Sequence, residues 1–126
     1  MKTFLLSLLA LLTLGQTTQN PMPTSQPYLA QLETEEQGSM LSIKSRFTNN
    51  SETDVSFGYR MKSERSGAAG KSVSSQSGSV SAVAGQTITL SKTSFTLTPK
   101  DSYTIELEIF DQNKVVAKDQ IVFTGN

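Results

Sequence analysis

Glu106 and Glu108 stand two residues apart in a run where Tyr103, Ile105, Leu107 and Ile109 alternate with polar residues. On an extended strand both carboxylates leave the same face, about 7 Å apart. That spacing could suit general acid/base work, but the reaction would need a second group to hold or pass a proton. The chain has no His, no Cys and no Trp. This removes a His-based general base, a thiol nucleophile, a disulfide and any conventional zinc, haem or iron–sulfur site. A structural reading of the pair is available instead. If residues 55–63 lie beside residues 101–110, Arg60 and Lys62 face the two glutamates and form cross-strand ion pairs on a solvated face.

The remaining polar groups add little chemistry. Asp111 and Asn113 could ligate calcium in a loop, yet no D-x-[DN]-x-[DN]-G frame surrounds them, so they read as a turn. The serines lack a base partner and no phosphate loop is present. The expectation is a protein that is not an enzyme and binds no cofactor and no metal. With 11 Lys+Arg against 11 Asp+Glu, the formal charge is zero and the footprint of a nucleic-acid binder is missing. Basic residues still occur in pairs. Lys44 and Arg46 face outward on one run, Arg60 and Lys62 on another, and in an immunoglobulin-like arrangement those runs belong to different sheets. They either protect the molecule from aggregation or form a cationic surface for a partner.

The elements that must carry these residues begin after an export signal. Lys2 supplies a positive n-region, and residues 4–12 with Leu14 form an apolar stretch of about eleven residues. A membrane-spanning helix needs about twenty. Thr13 and Gly15 are the small residues at −3 and −1 if cleavage follows Gly15, and no Cys is present for lipid attachment. Removing residues 1–15 from the 126 leaves 111 at a formal charge of −1. Residues 16–27 contain Pro21, Pro23 and Pro27 among small polar residues and read as a disordered leader. An uncleaved anchor is the alternative.

From Tyr28 onward the hydrophobic period is two. Tyr28, Ala30 and Leu32 share one phase, as do Leu41, Ile43 and Phe47, then Val55, Phe57, Tyr59 and Met61. Residues 63–70 read as a Gly-containing loop, and residues 71–82 as a weak, Ser-rich strand. Ile88 and Leu90 are in one phase and Phe95 and Leu97 in the other, which places a bulge or bend between Ser91 and Ser94. The run from Tyr103 to Ile109 follows, then a turn at residues 111–114 and a last strand over residues 115–124. About seven short strands without a helical stripe predict an all-β fold, an antiparallel immunoglobulin-like sandwich over residues 28–126. Pro99, Asp101 and Tyr103 match a tyrosine corner, in which the phenol bonds back to nearby backbone.

At this point the sequence resembles a known family. Gly67 and Gly70, the Ser72…Gln76-Ser77-Gly78 run, and Leu90-Ser91 leading into Leu97-x-Pro99-x-Asp101-x-Tyr103 resemble the CsgH-type curli-assembly chaperones, relatives of the periplasmic CsgC proteins. The resemblance covers roughly residues 28–123. It implies an immunoglobulin-like periplasmic protein, a monomer, that keeps curli-type amyloid subunits from polymerising early. CsgC members carry a C-x-C pair; the absence of Cys here fits the CsgH branch and leaves no redox role. An amyloid subunit exposes strand edges that template further pairing. The strand at residues 71–78 is therefore the candidate edge, with Lys71, Ser72 and Gln76 on it, and Arg60 and Lys62 are the candidate charges. The partner implied is the amyloid subunit, with no nucleic acid and no membrane after signal cleavage. The competing expectation is a secreted immunoglobulin-like adhesion or surface-assembly module.

Overall fold

The computed structural model describes residues 26–125. The expected signal peptide at residues 1–15, and all but the last two residues of the expected leader at residues 16–27, lie outside the described residues. Seven strands follow one another: β1 (Tyr28–Gln37), β2 (Met40–Asn49), β3 (Val55–Gly67), β4 (Gly70–Ala82), β5 (Thr87–Thr96), β6 (Ser102–Asp111) and β7 (Lys114–Thr124). They form a three-stranded sheet in the order β1-β2-β5 and a four-stranded sheet in the order β4-β3-β6-β7. All neighbouring pairs are antiparallel. The all-β sandwich expected from the period-two pattern is the fold observed.

Alternation decides which residues fill the space between the sheets. Leu41, Ile43 and Phe47 from β2 meet Tyr103, Ile105, Leu107 and Ile109 from β6, all buried. Phe57 packs edge-on against Tyr28 with ring centroids 4.9 Å apart, and against Phe47 at 5.8 Å. Burying each such side chain stabilises the fold by about 1.5–3 kcal/mol. Two polar residues share this interior with their hydrogen bonds made. Ser45 Oγ lies 2.6 Å from Ser91 Oγ. Asn49 donates to the carbonyls of Thr53 and Ala82 and accepts from Ser51 N and Oγ. Its amide is thereby satisfied where water does not reach, the condition for burying it.

Two local expectations need correction. The bulge is on β5 at Leu90, not between Ser91 and Ser94: Ser45 pairs with Ser91 and Arg46 with Thr89, leaving Leu90 as the extra residue. Leu90 and the following Ser91 both face the interior, so the phase changes one residue earlier than the aromatic positions suggested. Residues 63–70 are not a loop. The β3–β4 pairing runs without a break from Val55↔Ala82 to Gly67↔Gly70 and closes over Ala68 and Ala69. Gly70, with φ of 120°, takes a conformation that side-chain-bearing residues rarely adopt.

The two long sides of the sandwich are finished differently. On one, β1 packs along β7, and Leu32 N donates to Asp119 Oδ2 at 2.8 Å across the sheets. On the other, β4 passes β5 with little contact between them. The first ten residues of β4, Gly70 to Ser79, are all exposed.

Candidate functional site

The open side presents β4 as an edge of the four-stranded sheet, hydrogen-bonded only to β3. In an antiparallel pair, residues directly opposite share a face. Gln76 lies opposite Met61 and Ser72 opposite Arg65, which puts both on the side facing β5. Lys71, opposite Ser66, points to the outer face, as do Ser75 and Ser77. After Lys71 the strand carries no charge, no proline and no bulge as far as Ala82. Those are the devices that normally keep an edge from pairing with another chain. The edge is bare.

What holds such a polar strand in place is local. Gly78 sits under the ring of Tyr59, where a Cβ would come within 2.9 Å of Tyr59 Oη. Glycine is needed there for close approach. Tyr59 Oη in turn donates to the carbonyl of the bulged Leu90 at 3.5 Å, a long contact spanning the gap between β3 and β5. Nearer the hairpin tip a groove of about 400 Å³ opens between the sheets, with Phe95, Tyr103 and Ile105 among its apolar walls and Ser72, Ser74 and Ser94 along its rim.

The outer face of the same sheet carries the candidate charges, and most are paired within the molecule. Arg60 lies opposite Glu108 and Lys62 opposite Glu106. Arg60 Nη2 donates to Glu108 Oε1 at 2.6 Å, with its guanidinium 5.2 Å from the centroid of the Phe110 ring. The cross-strand arrangement expected for the two glutamates is therefore present, and at Glu108 it includes an ion pair. Among the described residues Lys62 makes no ion pair within 4.0 Å. Lys71 Nζ lies 2.8 Å from Glu64 Oε2. The hydrogen bond and charge of Lys71 hold the Glu64 carboxyl below its ordinary 4.5, and those of Glu64 raise the Lys71 amine above 10.5. Lys44 and Arg46 are on β2 in the other sheet, and Arg46 pairs with Glu33 at 3.5 Å.

The site residues named from sequence thus divide between two faces. Arg60, Lys62 and Lys71 share the outer face; Ser72 and Gln76 lie on the opposite side of the same sheet, and only the β4 backbone is common to both groups. Pro99, Asp101 and Tyr103 sit at the turn into β6, where Thr98 N donates to Tyr103 Oη at 2.8 Å. Sequence reasoning overlooked Arg65. It stands in the inward phase of β3 after Met61 and Ser63, and a cation in that phase signals a hidden partner. The partner is Asp101, 3.0 Å away.

This geometry can pair with an extended chain, and the described residues hold no group of three or more metal-ligating side chains. The CsgH protein family model matches residues 30–121, most of the chain. The chain belongs to the CsgH family. Among solved structures, the CsgH-family fold is shared with the E. coli curli protein CsgC, at a TM-score of 0.63 and 26% identity over 74% of this chain and 96% of that one. The R. palustris CsgH solution structure aligns at a TM-score of 0.54 and 20% identity, over 77% of this chain and 91% of that one. Bacteroides uniformis beta-glucuronidase 2 aligns at 0.58, but at 11% identity and over 14% of its own length, a likeness of fold alone. No curated protein matches the chain.

Proposed function

We propose that this CsgH-family protein is a periplasmic chaperone, delivered by its N-terminal signal, that delays amyloid polymerisation of curli-type fibre subunits. It acts by transient, non-covalent contact without ATP, as a monomer. The observation that carries the reading is the bare β4 edge on a chain of this family. A growing amyloid end adds strands through unpaired backbone groups, and an edge strand can occupy those groups by pairing with them. Lys71, Ser72 and Gln76 flank the contact on β4. Arg60 and Lys62 on the adjoining face meet charged groups of the subunit as it approaches, with Lys62 the freer of the two. The description of E. coli CsgC as a curli protein supports the choice of client.

The test is a thioflavin growth curve of a curli-type subunit with this protein at low molar ratio. A lengthened lag is expected. No effect at equimolar protein points instead to an adhesion or surface-assembly module. Within the same assay, a folded Arg60→Glu/Lys62→Glu variant should inhibit less; unchanged inhibition removes the charged face from the mechanism.

A further inference from the structure

The tip of the β3–β4 hairpin has one sheet neighbour on the β3 side and none on the β4 side, so pairing within the hairpin does not by itself fix it to the sandwich. The β3–β6 ladder ends at Ser66↔Ser102, where Ser102 Oγ makes a long 3.5 Å contact to the Ser66 carbonyl, and beyond it one carboxylate reaches the tip from the body of the molecule. Arg65 Nε lies 3.0 Å from Asp101 Oδ2, an ion pair in which the Asp101 side chain is 8% exposed. The same carboxylate lies against Gly67, where any Cβ would overlap it. Both Arg65 and Gly67 are in the last three residues of β3, next to the turn that starts β4.

Asp101 is itself held from behind. Its N donates to the Thr98 carbonyl at 3.2 Å and its carbonyl accepts from Gly125 N at 2.9 Å, while Lys100 N donates to the Gly125 carbonyl at 3.0 Å. Thr98 N donates to Tyr103 Oη. Lys100 keeps a left-handed φ of 68° in this turn, a conformation a lysine retains only where its surroundings enforce it. The turn before β6 is therefore tied down by backbone bonds on both sides, and Asp101 is its charged side chain that reaches the hairpin.

We infer that Asp101 is a positioning residue for β4: through Arg65 and Gly67 it locks the hairpin tip and presents the edge already ordered for a partner strand. The part concerning partner binding rests on the function proposed above. An edge that is ordered in advance loses less conformational freedom on pairing, and binding is stronger by that difference. The carboxylate touches no partner; it acts through the hairpin.

Amide hydrogen exchange on the full mature protein tests the lock without any client. Asp101→Asn, which keeps the size but removes the charge, should speed exchange in residues 63–75 by about tenfold while β2 and β6 stay within about twofold, because local opening is separable from global unfolding. Arg65→Gln should give the same local pattern. Gly67→Ala should loosen the hairpin alone but have little effect in an Asp101→Ala background, where the overlap is gone. Equal acceleration in β2 and β6, or an unchanged hairpin, overturns the lock. The thioflavin lag of the subunit then separates the two ideas. If the unmodified protein lengthens the lag and Asp101→Asn shortens that gain at least twofold, the positioning role stands; if the gain is unchanged with the hairpin loosened, the role is overturned. A wild-type protein with no effect on the lag overturns the chaperone reading, and the exchange result alone decides the lock.

Discussion

The edges β7 and β4 border the same sheet and are built from opposite materials. β7 carries Lys114, Lys118 and Asp119, has a register shift opposite Ile109 and Phe110, and lies against β1, whose Leu32 N bonds to Asp119. Charge, irregularity and cover are all present there. β4 has thirteen residues in unbroken register with β3, a single charge near its start, and serine on both faces. A sandwich can evidently close one side completely while leaving the other unprotected. The difference leaves β4 as the edge of this sheet with the fewest devices against pairing with another chain.

Substitutions should affect the two edges unequally, except in the core between them. The largest effect belongs to the core that both edges share. Phe47→Ala should cost about 3–5 kcal/mol in denaturant unfolding, because it empties a fully buried position between Tyr28 and Phe57. Both edges should lose order together; loss at one side only would mean the sheets are not a single cooperative unit. Next is the covered side. Asp119→Ala strips the acceptor from Leu32 N and should cost about 1–3 kcal/mol, with faster exchange at the Leu32 amide and no change in β4. If β4 loosens as well, the two sides are not independent.

A smaller effect concerns the charge at the hairpin. Glu64 has a lowered pKa in the folded protein, so its stabilisation is complete above the ordinary 4.5 and is lost as pH falls through the folded value. Lys71 has a raised pKa, so its contribution is complete below 10.5 and is lost as pH rises through the folded value. The pair should therefore hold a plateau between those limits, with hairpin exchange quickening outside them. Glu64→Gln should flatten both arms, as read from exchange against pH in residues 63–75. An acid arm that persists in this variant would assign it to another carboxylate.

Much of the fold was legible because burial alternates along strands. Ile105, Leu107 and Ile109 announce β6 directly, and Arg60 opposite Glu108 follows once two alternating runs are set side by side. The illegible parts share a physical cause. In the β3–β4 hairpin the inward phase holds Ser63, Arg65 and Gly67, which look like a loop because their usual apolar signal is absent. Arg65, in part exposed, pairs there with Asp101, 36 positions further on, and no local pattern reports that. Asp119 is similar: it interrupts the inward phase of Ala117, Ile121 and Phe123, and its purpose lies on β1. The bulge was misplaced because Leu90 and Ser91 are both turned inward, and serine carries no hydrophobic mark. At the candidate site, the Ser-rich composition of β4 already announced an exposed strand, but the placement of its side chains on two different faces required the register.

β4 is proposed as the surface that meets the fibre subunit. Its most direct test places charge on the open edge with Ser74→Lys/Gln76→Lys, two exposed positions where the folded state should change by no more than about 0.5 kcal/mol. The measurement is the thioflavin lag of a curli-type subunit with this variant and with the unmodified protein, each at the same low molar ratio. The prediction is a lengthened lag with the unmodified protein and a lag near that of the subunit alone with the variant. A folded variant that lengthens the lag as much as the unmodified protein would contradict the account.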